Sequence, residues 1–138
     1  MLDIRLIRDK PDFVRDRLAR KGEMRGVDEA LQLDERRRSI IEEADRLKAR
    51  RNSLSKDMAQ RAKIGGDVAA VREESRAVGD RITVLDEQLR QIESDLRDLM
   101  LRLPNMPHDS VHVGKSASDN VVVREWGQKL RFDFPARD

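Results

Sequence analysis

Apolar residues recur through the middle of this chain at alternating steps of four and three. Leu33, Arg37, Ile40, Ala44, Leu47, Arg51, Leu54 and Met58 form one such series, with two arginines inside it. Val68, Val71, Ser75, Val78, Ile82, Leu85, Leu89, Ile92, Leu96, Leu99 and Leu103 form a second. Positions so spaced share one stripe of an α-helix, so the pattern predicts two long helices that zip along a heptad seam. Between them, Ile64-Gly65-Gly66-Asp67 breaks the period. Adjacent glycines supply backbone freedom for a tight reversal, and Asp67 can cap the helix that follows. Two heptad helices joined by so short a turn fold back as an antiparallel hairpin. Pairing residues whose numbers add to about 129 sets Leu47 opposite Ile82, Ala44 opposite Leu85, Ile40 opposite Leu89 and Leu33 opposite Leu96. An arm of about 35 residues per helix is roughly 50 Å long.

The flanks read differently. In 1–26, Asp9 is a candidate cap, Pro11 suits a first helical turn, Phe13, Val14 and Leu18 fall at helical spacing, and Gly22 supplies a stop. A connector or frayed helix start follows, with either Asp28 or Asp34 as the cap. Pro104 ends the second long helix. Beyond it, Val111-His112-Val113, Val121-Val122-Val123 and Leu130-Arg131-Phe132 are short β-like runs separated by Gly114 and by Ser118-Asp119-Asn120. So few sheet residues do not make an independent domain; they read as the first strands of something larger. The expected fold is therefore mainly α: a long antiparallel coiled-coil hairpin on a small helical base, with short β-strands at the C-terminal end. The expected divisions are 1–26 as base, 27–103 as arm with its turn near 64–67, and 104–138 as linker and first strands.

Composition supports a thin, elongated burial. Of 138 residues, 41% are charged and only 3% aromatic, namely Phe13, Trp126, Phe132 and Phe134. A core built on aromatic rings is excluded, and the charge content far exceeds the roughly 25% of an average domain. The absence of cysteine excludes disulfides, Cys-ligated zinc and a thiol nucleophile. The first ten residues carry charge throughout and lack an apolar signal core. No run approaches the ~18 apolar residues of a membrane span. These features fit a soluble cytoplasmic protein with no membrane partner.

A net charge of +2 conceals a segregation of sign. Asp28 to Asp45 holds three basic and seven acidic residues, whereas Arg46 to Ile64 holds seven basic residues and one acid, Asp57. On the return helix, Asp67 to Leu85 carries three basic and four acidic residues, and Asp86 to Arg102 three and five. The outer half of the hairpin is positive and its base negative. Solubility alone needs no such separation, whereas contact with a phosphate backbone does. The candidate contacts are Arg46, Lys48, Arg50, Arg51, Lys56, Arg61 and Lys63 on the first helix and Arg72, Arg76 and Arg81 on the second. The arm has no aromatic residue on which single-stranded bases would stack, so a bare basic rod suits duplex RNA read by shape and backbone. The other reading is a protein-docking coiled coil whose charges only solvate it. Arg51, on the seam itself, either packs its stem and fixes register or offers its head to a ligand. Arg37 faces the acidic base and reads as structural. Gly79 inside the second helix either permits close approach of RNA or is a tolerated surface glycine.

Catalytic signals are missing. His108 and His112 flank Asp109, but on a Pro-interrupted loop that spacing is poor evidence for a metal. No Gly-rich phosphate loop or nucleophile elbow occurs, and Ser53, Ser55 and Ser110 lack a His/Asp partner set.

Several stretches nevertheless carry a resemblance. Met1-Leu2-Asp3-Ile4-Arg5 with Pro11, Leu33-Asp34-Glu35-Arg36-Arg37, Arg51-Asn52-Ser53-Leu54-Ser55-Lys56, and above all Leu103-Pro104-Asn105-Met106-Pro107-His108-Asp109-Ser110-Val111 resemble the N-terminal tRNA-binding arm of bacterial-type seryl-tRNA synthetases. The likeness continues through Gly114, Asp119-Asn120-Val121 and Trp126-Gly127, and so covers essentially the whole chain. His112 stands where that family commonly has proline. The resemblance implies an antiparallel coiled-coil arm that reaches across the tRNA elbow and grips the long variable arm of serine tRNAs. It also implies a parent class II enzyme that activates serine with ATP and Mg²⁺ and transfers it to the terminal adenosine. That parent is a homodimer through its catalytic domain, with the arm of one subunit serving the tRNA charged by the other. The catalytic domain is expected beyond Asp138, so this span itself has no catalytic site and needs no cofactor. An intramolecular hairpin favours a monomer for this span, although exchange through Gly65-Gly66 would give a swapped pair.

Overall fold

The computed structural model describes residues 2–22, 25–128 and 131–135. Its contacts divide the chain into two units, Met1–Pro107 and His108–Asp138.

The first unit is helical. Helix α1, Ile4–Asp9, is capped by Asp3, whose Oδ1 accepts the Arg5 N–H at 2.8 Å. Helix α2, Pro11–Ala19, begins one residue after Lys10. Asp9 therefore closes α1 instead of capping α2, contrary to the sequence reading. Pro11 lacks an N–H, so the start of α2 has one donor fewer to satisfy. Val14 and Leu18 of α2 are buried completely, while Phe13 stays 44% exposed with the Arg17 guanidinium over its ring.

Two long helices follow: α3, Gly26–Lys63, and α4, Ala69–Arg102. Their 38 and 34 residues correspond to about 57 and 51 Å of helix. Neither Asp28 nor Asp34 caps α3; Asp28 lies in its first turn and Asp34 well inside it. The reversal runs through Gly65, at φ +68°, a left-handed conformation that favours glycine. Asp67 accepts the Ala69 N–H at 2.8 Å and so satisfies a free donor at the start of α4.

Every seam position of the return helix, from Val68 to Leu103, is buried or half-buried. On α3 the same holds for Leu33, Arg37, Ile40, Ala44, Leu47, Leu54 and Met58, and only Arg51 is exposed. Ion pairs across the seam fix the direction of the chains. Arg37 pairs with Glu93 near the base and Arg50 with Glu74 further out, so the helices are antiparallel. The seam widens into a true core at the base, where Leu2, Ile7, Val14, Leu18, Val27 and Ala30 meet Leu96, Leu99, Met100 and Leu103. A carboxylate locks this base. Asp34 is 1% exposed and accepts both Nε (2.9 Å) and a terminal nitrogen (3.1 Å) of Arg8 on α1, together with Nε of Arg38 (3.1 Å).

The second unit corrects an expectation. Among the described residues there is no strand; the one regular element is a 3-10 turn, Ala117–Asp119. Val111–Val113, Val121–Val123 and residues 131–132 are irregular, and Leu130 lies outside the described residues. Strand-like composition requires a neighbouring strand before it becomes a strand, and here Val123 and Trp126 stand 95% and 90% exposed. What order exists is local. Asp119 Oδ2 accepts the N–H groups of Lys115 (2.7 Å) and Ser116 (3.0 Å). A Cβ on Gly114 would lie 2.6 Å from that of Asp119, so only glycine fits there.

Two outcomes are expected. Leu85 is fully buried at the seam, so Leu85→Ala lowers unfolding stability by about 2–5 kcal/mol. Val84→Ala, one residue away and 47% exposed, costs less than about 1 kcal/mol. Denaturant melts followed by circular dichroism measure both, and equal losses would mean the seam lies elsewhere. Second, the backbone N–H groups of Lys115 and Ser116 hold the Asp119 carboxyl below its ordinary value of 3.8. A lowered carboxyl pKa stabilises the turn above the ordinary value, and that contribution disappears as pH falls through the lowered one. Side-chain carbon NMR titration of Asp119 should show a midpoint below 3.8.

Candidate nucleic-acid interface

The heptad geometry decides which of the ten candidate cations can meet a ligand. Residues bordering the seam can reach across to the other helix, whereas those further round face water. Lys48 lies 3.5 Å from Asp86, and Arg81 donates to Glu43 through Nε at 3.0 Å. Arg50 donates to Glu74 through Nε at 2.8 Å. Arg61 pairs along its own helix with Asp57 at 3.0 Å, and that hydrogen bond raises its pKa above the ordinary value. These four candidates are therefore engaged by carboxylates.

The other six are not. Arg46, Arg51, Lys56, Lys63, Arg72 and Arg76 are exposed, and among the described residues none has a carboxylate within ion-pairing distance. Arg46, Lys56 and Lys63 occupy outward positions of α3, and Arg76 lies one step round from the seam on α4. The sequence assigned all ten by charge alone. Position beside the heptad stripe does not by itself separate them: Lys48, Arg50 and Arg81 stand there and are paired, but so does Arg72, which is not, and only the residue opposite decides.

Other chemistry is sparse. Among the described residues no group of three or more His, Cys, Asp or Glu could hold a metal ion. His108 Nδ1 instead engages the Ser110 hydroxyl at 2.9 Å and the Ser110 N–H at 3.2 Å. No helix among the described residues is long and apolar enough to cross a membrane.

The fold and the interface define a class: an antiparallel helical hairpin on a helical base, presenting a cationic outer half. Residues 1–107 match the family described as seryl-tRNA synthetase N-terminal domain, and the chain belongs to that family. It is 44% identical to a Serine--tRNA ligase of Symbiobacterium thermophilum and 47% identical to one of Thermomicrobium roseum, each over 99% of this chain. The chain spans about a third of those relatives, 32% and 31% of their lengths. It is also similar to the crystal structure of seryl-tRNA synthetase from Pyrococcus horikoshii complexed with ATP, with a TM-score of 0.85 and 38% identity over 92% of this chain and 29% of that one.

The ion pairs that border the seam are half exposed. A double-mutant cycle on Arg50 and Glu74, 51% and 45% exposed, should give a coupling of only about 0.2–1 kcal/mol in thermal melts. A coupling several times larger would mean that these pairs hold the hairpin together.

Proposed function

We propose that this chain is the tRNA-binding arm of a serine–tRNA ligase, and that its outer half lies along the long variable arm and elbow of serine tRNA. The observation that carries this reading is the set of six cations without carboxylate partners on the outer half of a rod that holds no aromatic residue. Phosphates of duplex RNA offer regularly spaced anions, and a straight rod can follow them without opening the duplex. Family membership supports the same partner. Under this proposal the parent is a cytoplasmic class II aminoacyl-tRNA synthetase, homodimeric through its catalytic domain. ATP and Mg²⁺ supply the activation of serine when bound in that catalytic portion. The residues of this span bind and orient the tRNA.

The four cations held by carboxylates favour a second reading, a protein-docking coiled coil whose charge only solvates it. The two readings differ in salt response. Counterion release lowers log K with log salt by roughly 0.7–0.9 per phosphate contact. Binding of the chain to serine tRNA, measured by fluorescence anisotropy across a salt series, should therefore weaken steeply and exceed binding to a short-armed tRNA. Replacing Arg46, Arg51, Lys56, Lys63, Arg72 and Arg76 together by Ala should abolish it while leaving helicity intact. Salt-insensitive binding without preference for the long variable arm would replace the proposal with the second reading.

A further inference from the structure

The seam contains two arginines two heptads apart, and they meet different fates. Arg37 is half-buried, donates to Glu93 at 3.2 Å and lies 3.9 Å from the buried carboxylate of Asp34. Arg51 is exposed and has no carboxylate partner among the described residues. The cause lies in the column of α4 that borders one side of the seam. From base to tip it reads Glu93, Asp86, Gly79 and Arg72, one residue per heptad. Glu93 takes Arg37, and Asp86 takes Lys48 at 3.5 Å. Carrying the first pair outward by two heptads, or the second by one, leads to the same place: Arg51 and Ser55 of α3 facing Gly79. At that point the column has no acid and no side chain.

The gap is open. A Cβ on Gly79 would meet nothing within 4 Å. The neighbouring hydroxyls do not fill it, because Ser55 donates to the Arg51 carbonyl (3.0 Å) and Thr83 to the Gly79 carbonyl (3.2 Å). Further out, Arg72 and Arg76 are exposed on the same side. The nearest acids in sequence, Glu73 and Asp80, occupy the outward position of α4, away from the seam. The opposite border contrasts with this. Its α4 column reads Arg81, Glu74 and Asp67 toward the tip; Glu43 and Arg50 match the first two across the seam, and the α3 position opposite Asp67 holds a second acid, Asp57, which pairs with Arg61. One lateral face of the arm carries acids to its end, and the other turns cationic beyond Asp86.

We infer that the notch at Arg51 and Gly79, flanked by Arg72 and Arg76, is where the sugar–phosphate backbone of duplex RNA comes closest to the arm, which therefore binds with this one lateral face. A glycine lets a phosphate approach the helix backbone, and a planar guanidinium beside it grips two phosphate oxygens at once. The inference rests on the tRNA-binding reading above and narrows it to a face.

The test uses the full chain and serine tRNA. Gly79→Glu supplies the missing acid of the column, whereas Ala77→Glu adds the same charge two residues away on the face that already carries acids. Gly79→Glu should weaken binding by roughly tenfold or more and lower the salt slope by about one contact, while Ala77→Glu weakens it less than about threefold. Thermal melts should show Gly79→Glu no less stable than the parent, since glycine is a poor helix former. Arg51→Met, which keeps the stem and removes the charge, provides a second route and should weaken binding without moving the melt. Equal losses for both glutamate variants, or unchanged binding by Arg51→Met, would overturn the choice of face while leaving tRNA binding intact. A parent chain that does not bind serine tRNA would overturn both readings.

Discussion

Helix α3 and helix α4 are each more than thirty residues long, and neither has a reason to exist alone in water. Propensity adds little to a helix whose apolar stripe remains wet; packing that stripe against a partner supplies most of its stability. The seam between them is therefore the constraint on which the molecule rests. It fixes antiparallel direction, it sets which charged residues stand across from one another, and it keeps the rod straight enough to present a row of cations at known intervals. Its thickness is uneven. Near the tip it is one layer of side chains such as Leu54 and Val71, flanked by half-buried Met58 and Ser75. At the base it merges with the core built by α1 and α2. A structure so graded opens first at its tip, where few apolar contacts hold it.

The base needs something besides apolar contact to hold a set orientation. Asp34 provides it. A carboxylate removed from water carries a large desolvation cost unless its oxygens are satisfied, and here two arginines donate to it from two different helices. The bidentate grip of Arg8 ties α1 to one place on α3, because a planar fork accepts few alternative geometries. Arg37 then extends the network across the seam to Glu93. A buried ion cluster of this kind adds little net stability, but removing Arg8 or Arg38 would leave a buried carboxylate short of partners, which is strongly destabilising.

Much of this was visible in the sequence because heptad spacing is local: placing Ile82 or Leu85 on the seam needs no distant partner, only the period that runs from Val68 to Leu103. The parts that were misread depend on what lies elsewhere. Asp9 and Asp34 look like helix caps, since an acid before an apolar run is the same signal whether it starts a helix, ends one or is buried inside one. Val121-Val122-Val123 has the composition of a strand, yet a strand exists only when another pairs with it, and among the described residues none does. Of the candidate interface, the charge was legible and the pairing was not. Charge identified ten cations, but which of them are free depends on the cross-helix register, and the ion pairs of Lys48, Arg50 and Arg81 become visible only when both helices are laid side by side.

The separation of sign along the arm has meaning because of its length. At physiological salt the field of a charge decays over about 8 Å, whereas the arm extends some 50 Å. The acids from Asp28 to Asp45 therefore do little to cancel the potential at Lys56 or Lys63, and a near-neutral chain can present a strongly cationic tip. In a compact fold of the same composition the two signs would lie within a screening length and largely offset each other. Elongation is thus what converts a net charge of +2 into a local attraction for a polyanion. Under the proposed reading, the acids at the foot of the arm, Asp28 to Asp45, would disfavour a polyanion there and so bias the encounter toward the outer half.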